Sequence, residues 1–322
     1  MIVYTPPRAA THIPVVDLTG SFNDAAALKR VGAEIHRACR ETGFFYVSGH
    51  GVPQAVMDGE LDIARRFFAQ PLEAKQAVAI EHSSCRRGYE AGLQVLDPGS
   101  PPDLKESFML GRELQPEHAY VAARIPMHGP NLWPELPGFR EQAQAYEREM
   151  IRLGRHLMAC LAVSLDLQPN WFAEGLKEPQ AGVRLLSYPP QPEASDSNRL
   201  GAGAHTDWGS ITILLQDAMA GLEVRNADDD WILATPITGT FVINIGQMME
   251  RFTAGLYRAN LHRVRNNSAD RARNSVATFF ELDYFYKMGR APTVPDDHDY
   301  QVDSSLSVGE HIEQMARASY GG

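Results

Sequence analysis

Apolar residues in the first half of the chain recur mostly at helical spacing. One apolar stripe predicts a helix between Ser21 and Thr42, and Pro53 begins a second helix because its fixed φ suits a first helical turn. A long stripe predicts a third helix over residues 138–165, and a shorter one predicts a final helix over residues 308–318. The first half is therefore predicted to supply most of the helical layer.

The hydrophobic pattern of the sequence changes after residue 182, where short apolar segments alternate with Gly, Asn and Asp turns. These segments predict strands at Val183–Tyr188, Ser210–Gln216, Leu222–Val224, Trp231–Thr235, Thr240–Ile245, Leu261–Arg265 and Ser275–Leu282, with earlier strands at Ile13–Leu18, within 43–53, and at Lys105–Leu110. Many short strands with turn signals are typical of a sandwich or barrel of the jelly-roll kind. We therefore expect an α+β fold with a mainly β core, flanked by the N-terminal helices.

No linker divides the chain convincingly, so we expect a single domain spanning residues 1–322. Within it, residues 1–120 would form an N-terminal region with helices and wall strands. Residues 121–182 would contain the long helix, residues 183–285 the jelly-roll core, and residues 286–322 the C-terminal helix.

Composition narrows the possible partners and the compartment. The formal charge of −10 argues against nucleic acid as the main partner, and no run of about eighteen apolar residues predicts a membrane span. The three cysteines are far apart and show neither a disulfide framework nor a zinc ribbon. The first residues also lack the apolar region of a signal peptide. We therefore expect a cytoplasmic protein; the sequence does not reveal its oligomeric state.

A candidate metal site begins at His205-Thr-Asp207. Residues two apart on an extended backbone project from the same face, so an imidazole and a carboxylate would stand side by side. His262 begins a later predicted strand, and the intervening strands allow it to return beside His205. Two histidines and one carboxylate form the facial triad used by iron(II) oxygenases.

A candidate anion site follows at Arg273-Asn-Ser275, where the guanidinium and the hydroxyl share one face of a predicted strand. An arginine offers a carboxylate two parallel charge-assisted hydrogen bonds, and a neighbouring hydroxyl adds a third. An internal Arg–Glu pair is the competing interpretation of Arg273, and Arg271 is a rival for the same role.

Six regions of the chain, taken together and in order, carry a resemblance to a known family. They are Ile13-Pro-Val-Val-Asp17 with Gly43–Pro53, Asp103-Leu-Lys-Glu106, Arg184-Leu-Leu-Ser-Tyr-Pro-Pro190, His205-Thr-Asp207, His262-Arg-Val264 and Arg273-Asn-Ser275. The chain resembles the isopenicillin N synthase-like family of iron(II)- and 2-oxoglutarate-dependent dioxygenases over nearly its whole length.

The resemblance implies a double-stranded β-helix and a reaction that consumes O2 and 2-oxoglutarate. It implies that His205, Asp207 and His262 bind Fe(II). It also implies that Arg273, Ser275 and Tyr188 hold the distal carboxylate of 2-oxoglutarate. One departure stands out, because Leu186 occupies a position where plant members of the family usually carry Asn.

Two alternatives stay open at this point. The same scaffold serves iron oxidases that need no 2-oxoglutarate, and a metal-free β-barrel could act as a binding module. The Arg273 and Ser275 pair argues against the first alternative, and the complete ligand set argues against the second.

Strand parity suggests which residues contact a small-molecule substrate. If Arg273 and Ser275 face inward, Phe279 and Glu281 do so as well. Further candidates come from the wall segments and from the strand before Tyr188; they are Leu186, Met109, Ser107 and Tyr89. Lys105, Ser107 and Met109 are expected to share one face of their strand, with Phe108 on the other.

Overall fold

Seven α-helices lie in the part of the chain that the computed structural model describes. Those residues are 12–91, 102–191, 200–226, 230–265, 270–295, 300 and 303–320. The helices are α1 (Ala25–Glu41), α2 (Gln54–Phe68), α3 (Leu72–Gln76), α4 (Ala119–Ala122), α5 (Phe139–Ser164), α6 (Gln247–Phe252) and α7 (Val308–Tyr320). None of them combines the length and apolarity that a membrane crossing requires.

The strands form two sheets. The larger sheet runs in the order β1 (Val15–Asp17), β2 (Phe44–Ser48), β10 (Phe241–Ile245), β7 (Ile211–Gln216), β12 (Arg273–Glu281), β5 (Gln180–Tyr188), β4 (Glu106–Leu110) and β3 (Gly88–Ala91). The smaller sheet runs in the order β6 (Ala202–His205), β11 (His262–Val264), β8 (Leu222–Arg225) and β9 (Trp231–Leu233). The strand order agrees with the predicted jelly roll, in which strands distant in sequence become neighbours.

Side chains along β12 point alternately to the two faces of the sheet, which lie in different surroundings. Val276 and Phe280 are fully buried in the apolar core that the large sheet shares with the helices. The ring of Phe280 occupies the space where a Cβ on Gly154 of α5 would stand, so helix and sheet approach closely at this point. Ala277 and Phe279, which have the opposite parity, pack with residues of the smaller sheet, as strand alternation predicts.

Most predicted elements are present, with boundaries shifted by a few residues. Asp24, and not Ser21 or Asn23, caps α1, because its carboxylate accepts a hydrogen bond from the N–H of Ala26 at 2.8 Å. The short strands β3 and β6 were not among the predicted elements. Their sequences, Gly88-Tyr-Glu-Ala91 and Ala202-Gly-Ala-His205, contain mostly small residues and lack the alternation of large apolar and polar side chains that predicts a strand.

Candidate active site

Three potential metal ligands meet where β6 and β11 pair. His205 ends β6, and His262 begins β11 directly opposite it in the antiparallel register. Asp207 follows two residues after His205, and its Oδ1 lies 3.9 Å from Nε2 of His205 and 3.7 Å from Nε2 of His262. One ligand atom from each residue lies within 4.8 Å of the others. The three predicted ligands are therefore brought together.

Hydrogen bonds orient all three side chains. Nδ1 of His205 donates to the carbonyl oxygen of Gly203 at 2.7 Å, and Nδ1 of His262 donates to that of Asn260 at 3.4 Å. A carbonyl can only accept, so each Nε2 keeps a lone pair directed at the triad. This is the tautomer that a metal ion requires.

Asp207 is held by two polar side chains from the large sheet. Its Oδ2 accepts hydrogen bonds from Oγ1 of Thr212 at 2.5 Å and from Nδ2 of Asn244 at 2.7 Å. These contacts occupy one carboxylate oxygen and leave Oδ1 facing the histidines. Asn244 and Thr212 are supporting residues that sequence reasoning missed, because the signal lies in the pairing of β7 with β10.

The electrostatics of the triad favour cation binding. Burial lowers the pKa of His205, and the proximity of His262 adds to the shift. Burial opposes ionisation of Asp207, but the two histidines and the hydrogen bonds from Thr212 and Asn244 outweigh it and lower the pKa of this carboxyl group. Two neutral imidazoles and one carboxylate are the donor set of a mononuclear iron(II) site.

Arg273 lies on the same face of the large sheet as Thr212 and Asn244, and it is fully buried. Its guanidinium donates to Oε1 of Gln216 at 2.9 Å, to the carbonyl of Met219 at 3.2 Å and to Oγ of Ser275 at 3.4 Å. Its Cζ lies 5.2 Å from the ring centre of Tyr188. No carboxylate among the described residues pairs with Arg273, so the internal Arg–Glu pair is absent from this part of the chain.

A cavity of about 660 Å³ connects the triad with Arg273. The predicted substrate residues Phe279, Glu281, Leu186, Met109 and Ser107 all line this cavity, together with Ser275 and Tyr188. Arg271, the rival of Arg273, is exposed and is not among the lining residues. Strand parity therefore placed Phe279 and Glu281 of β12, and Ser107 and Met109 of β4, on the face that lines the cavity.

Tyr89 was predicted to contact the substrate, but its side chain does not line the cavity. Its neighbours Gly88 and Glu90 line the cavity, so Tyr89 points to the opposite face of β3. There its ring packs against Phe67, and its hydroxyl donates to Glu106 at 3.1 Å. The residue belongs to the core between sheet and helices.

Glu281 lines the cavity but is bound neither to a cation nor to a charged side chain among the described residues. Its Oε2 accepts a hydrogen bond from the N–H of Ser210 at 2.6 Å, and its carboxyl group fills the space beside Gly209. Burial raises the pKa of Glu281 to about 8, although the contact with Ser210 opposes the shift. Its partner is therefore the backbone that follows Asp207.

Several further polar residues of the cavity wall were not among the predicted site residues. Arg184 donates to Glu90 and to Ser107, each at 3.0 Å, and Lys105 donates to Asp103 at 2.8 Å. Arg184 and Lys105 both lie in segments that carry the family resemblance. Their place in those segments was the sequence signal that could have identified them as site residues.

Comparison with known proteins identifies the family. Residues 13–136 match the model described as non-haem dioxygenase in morphine synthesis N-terminal, and residues 179–282 match the 2OG-Fe(II) oxygenase superfamily. The 2-oxoglutarate-Fe(II) type oxidoreductase hxnY of Emericella nidulans is 37% identical over 281 residues, covering 84% of this chain and 80% of that protein. A 2-oxoglutarate-dependent dioxygenase of Didymella fabae is 38% identical over 296 residues, covering 88% and 89%.

Solved structures show the same likeness. A full-length Neurospora crassa protein in complex with alpha-KG and thymine superposes with a TM-score of 0.84 and 26% identity, covering 96% of this chain and 97% of that one. A 2OG-Fe(II) oxygenase family protein from Caulobacter crescentus gives a TM-score of 0.83 and 30% identity, covering 96% and 99%. The predicted fold and family are confirmed. The chain belongs to the 2OG-Fe(II) oxygenase superfamily and is an iron(II)- and 2-oxoglutarate-dependent dioxygenase.

Proposed function

We propose that this chain hydroxylates a small organic molecule with release of succinate and CO2. In this proposal, His205, Asp207 and His262 hold Fe(II), while Arg273, Ser275 and Tyr188 hold the distal carboxylate of 2-oxoglutarate. The observation that carries the proposal is that a metal-ligand triad and a buried arginine without a carboxylate partner among the described residues open onto one cavity.

The surroundings of Arg273 support its assignment as the anchor. A buried cation is costly unless an anion compensates it, and the partners of this guanidinium in the described structure are neutral oxygens. A bound carboxylate would provide the missing charge. Ser275 lies close enough to add a hydroxyl donor, and Tyr188 lies beside the guanidinium.

Iron(II), when bound, supplies the redox chemistry that couples oxidative decarboxylation of 2-oxoglutarate to oxidation of a C–H bond. The contributions of the chain are positional. Gly203 and Asn260 fix the two imidazole rings, and Thr212 with Asn244 fixes the carboxylate. The apolar side chains of Leu186, Met109 and Phe279 exclude water from the rest of the cavity.

The substrate class rests on the cavity wall. Structures of the Neurospora crassa protein contain thymine or 5-formyluracil, which are small polar ring compounds. In this chain, Phe279 offers an apolar surface, and Arg184 with Glu90 offers a donor and an acceptor 3.0 Å apart. This combination favours a small molecule with an apolar or ring portion and polar groups at its edge.

A spectroscopic titration tests the reaction class before the substrate is known. Adding 2-oxoglutarate to the Fe(II)-loaded protein without O2 should produce a weak visible charge-transfer band. The 2-oxoglutarate-independent alternative predicts that no band forms in protein shown to be folded and iron-loaded, and that result would overturn the proposal. The binding-module alternative predicts that Fe(II) itself does not bind.

A further inference from the structure

The segment Asp103–Glu106 carries part of the family resemblance, yet the proposed function gives it no role. Its last two residues project from opposite faces of the sheet. Glu106 accepts hydrogen bonds from Nζ of Lys75 at 2.6 Å and from the hydroxyl of Tyr89 at 3.1 Å, outside the cavity. Lys105 projects to the other face and lines the cavity. The chain thus contains two buried lysines in similar ion pairs, one on each face.

The ammonium group of Lys105 has more hydrogen-bond donors than it has acceptors among the described residues. Its side chain is 7% exposed, and its Nζ donates to Oδ2 of Asp103 at 2.8 Å. Asp103 is its only hydrogen-bond acceptor among the described residues, whereas an ammonium group has three donors. Burial and the nearby Arg184 lower the pKa of Lys105 to about 8, so the ammonium form still prevails at pH 7. A buried ammonium with spare donors favours a ligand acceptor in the cavity.

The register of the sheet places Lys105 in line with the proposed 2-oxoglutarate anchor. Glu106 pairs with Ser187 on β5, and Ser187 pairs with Asn274 on β12. The adjacent row on the cavity face therefore contains Lys105, Tyr188 and Arg273. Two cationic side chains flank one tyrosine at the same end of the cavity, an arrangement that suits a dicarboxylate.

Asp103 also connects Lys105 to the metal-ligand triad. Its Oδ1 accepts a hydrogen bond from the N–H of Gly203 at 2.8 Å, and the carbonyl of Gly203 accepts from Nδ1 of His205 at 2.7 Å. The side chain of Asp103 is 3% exposed, so this bridge is shielded from water. The ammonium is therefore fixed relative to the metal ligand as well as to the row of Arg273.

We propose that Lys105 is a second cationic anchor for 2-oxoglutarate, with its ammonium donating to a carboxylate of the cosubstrate while Asp103 holds it in place. The inference rests on the proposed function, because it assumes that 2-oxoglutarate occupies the cavity beside Arg273. The alternative is that the same ammonium donates to a carboxylate of the organic substrate that is oxidised. The experiment distinguishes between these two ligands.

The test compares Lys105→Met with a matched variant, Lys75→Met; Lys75 lies in α3, and its ammonium pairs with Glu106 on the opposite face of the large sheet. The dissociation constant of 2-oxoglutarate is measured by calorimetry on Mn(II)-loaded protein, a substitution chosen to prevent turnover during the titration. Lys105→Met should raise this constant about tenfold or more, the loss expected for one charge-assisted hydrogen bond. Lys75→Met should leave it unchanged. Lys105→Arg, which keeps the charge, should recover part of the affinity.

An unchanged 2-oxoglutarate affinity in Lys105→Met overturns the inference, even if turnover falls, because the ammonium would then serve the prime substrate or the fold alone. Should Lys105→Met fail to fold because Asp103 is left unpaired, the double variant Asp103→Asn/Lys105→Met removes both charges and is judged by the same criterion. Failure of the proposed function looks different, because the unmodified protein would then bind no 2-oxoglutarate at all.

Discussion

The two faces of the large sheet are built from the same strands but serve different purposes. On the helical face, β12 contributes Val276 and Phe280 to an apolar core. On the cavity face, the same strand contributes Arg273, Ser275 and Glu281, which are equally buried but polar. The difference teaches that burial alone does not mark a residue as structural. The two faces differ in the polarity of their buried side chains and in the hydrogen-bond or ligand partners that the polar ones require.

The energetic consequences of the two faces are opposite. Burying apolar area on the helical face stabilises the fold, at about 25 cal/mol per Å². Burying ionisable groups on the cavity face costs free energy unless partners or ligands compensate it. Changes on the helical face should therefore act mainly on the free energy of unfolding, and changes on the cavity face mainly on ligand binding and turnover.

The largest expected effect comes from removing a metal ligand. His205→Ala should lower 2-oxoglutarate-dependent succinate formation on the order of 10⁴-fold, because the metal site would keep only two of its three ligands. A Co(II) titration should show a matching loss of metal affinity. His50→Ala is the control, since His50 donates to the carbonyl of Gly239 and accepts from the N–H of Val52, away from the cavity. Equal metal affinity in His205→Ala and unmodified protein would contradict the assignment.

Phe280→Ala probes the helical face of the same strand. The ring is fully buried against Gly154 of α5, so its loss should lower the free energy of unfolding by about 3–5 kcal/mol, measured by urea denaturation. At temperatures where the variant is folded, its 2-oxoglutarate affinity should stay close to that of the unmodified protein. A large change in affinity without a change in stability would break the distinction between the two faces.

Arg273→Met should chiefly weaken 2-oxoglutarate binding. Removing the guanidinium takes away charge-assisted hydrogen bonds worth about 2–3 kcal/mol, so the dissociation constant should rise roughly 30- to 150-fold. Arg271→Met is the matched comparison, because Arg271 is exposed and does not line the cavity. If Arg271→Met weakened binding and Arg273→Met did not, the anchor would have to be reassigned.

The smallest effect concerns a buried carboxyl group on the helical face. Burial raises the pKa of Glu60 in α2 to about 8 from an ordinary 4.5, with a weak opposing contact from Gln142. The folded state therefore binds this proton more tightly, and the protein should lose stability as pH rises from about 4.5 through 8. The Glu60→Gln variant has no ionisable group at this position, so its free energy of unfolding should fall on the order of a few kcal/mol less over that interval. Parallel pH profiles of the two proteins would contradict this.

The sequence by itself determined the local features of the site. The spacing of His205 and Asp207 placed two ligands together, because parity on an extended backbone depends only on residue number. The same rule put Phe279 and Glu281 on the face of Arg273, and Ser107 with Met109 on the face of Lys105. These predictions held because they depend on short stretches of one strand.

Only the tertiary structure decided how separate strands meet. The position of His262 opposite His205 follows from the pairing of β11 with β6, fifty-seven residues apart in sequence. The face on which Tyr89 lies, the backbone partner of Glu281 and the alignment of Lys105 with Arg273 also depend on which strands become neighbours and in what register. Register is set by non-local packing of the whole sheet, which no local spacing in the chain encodes.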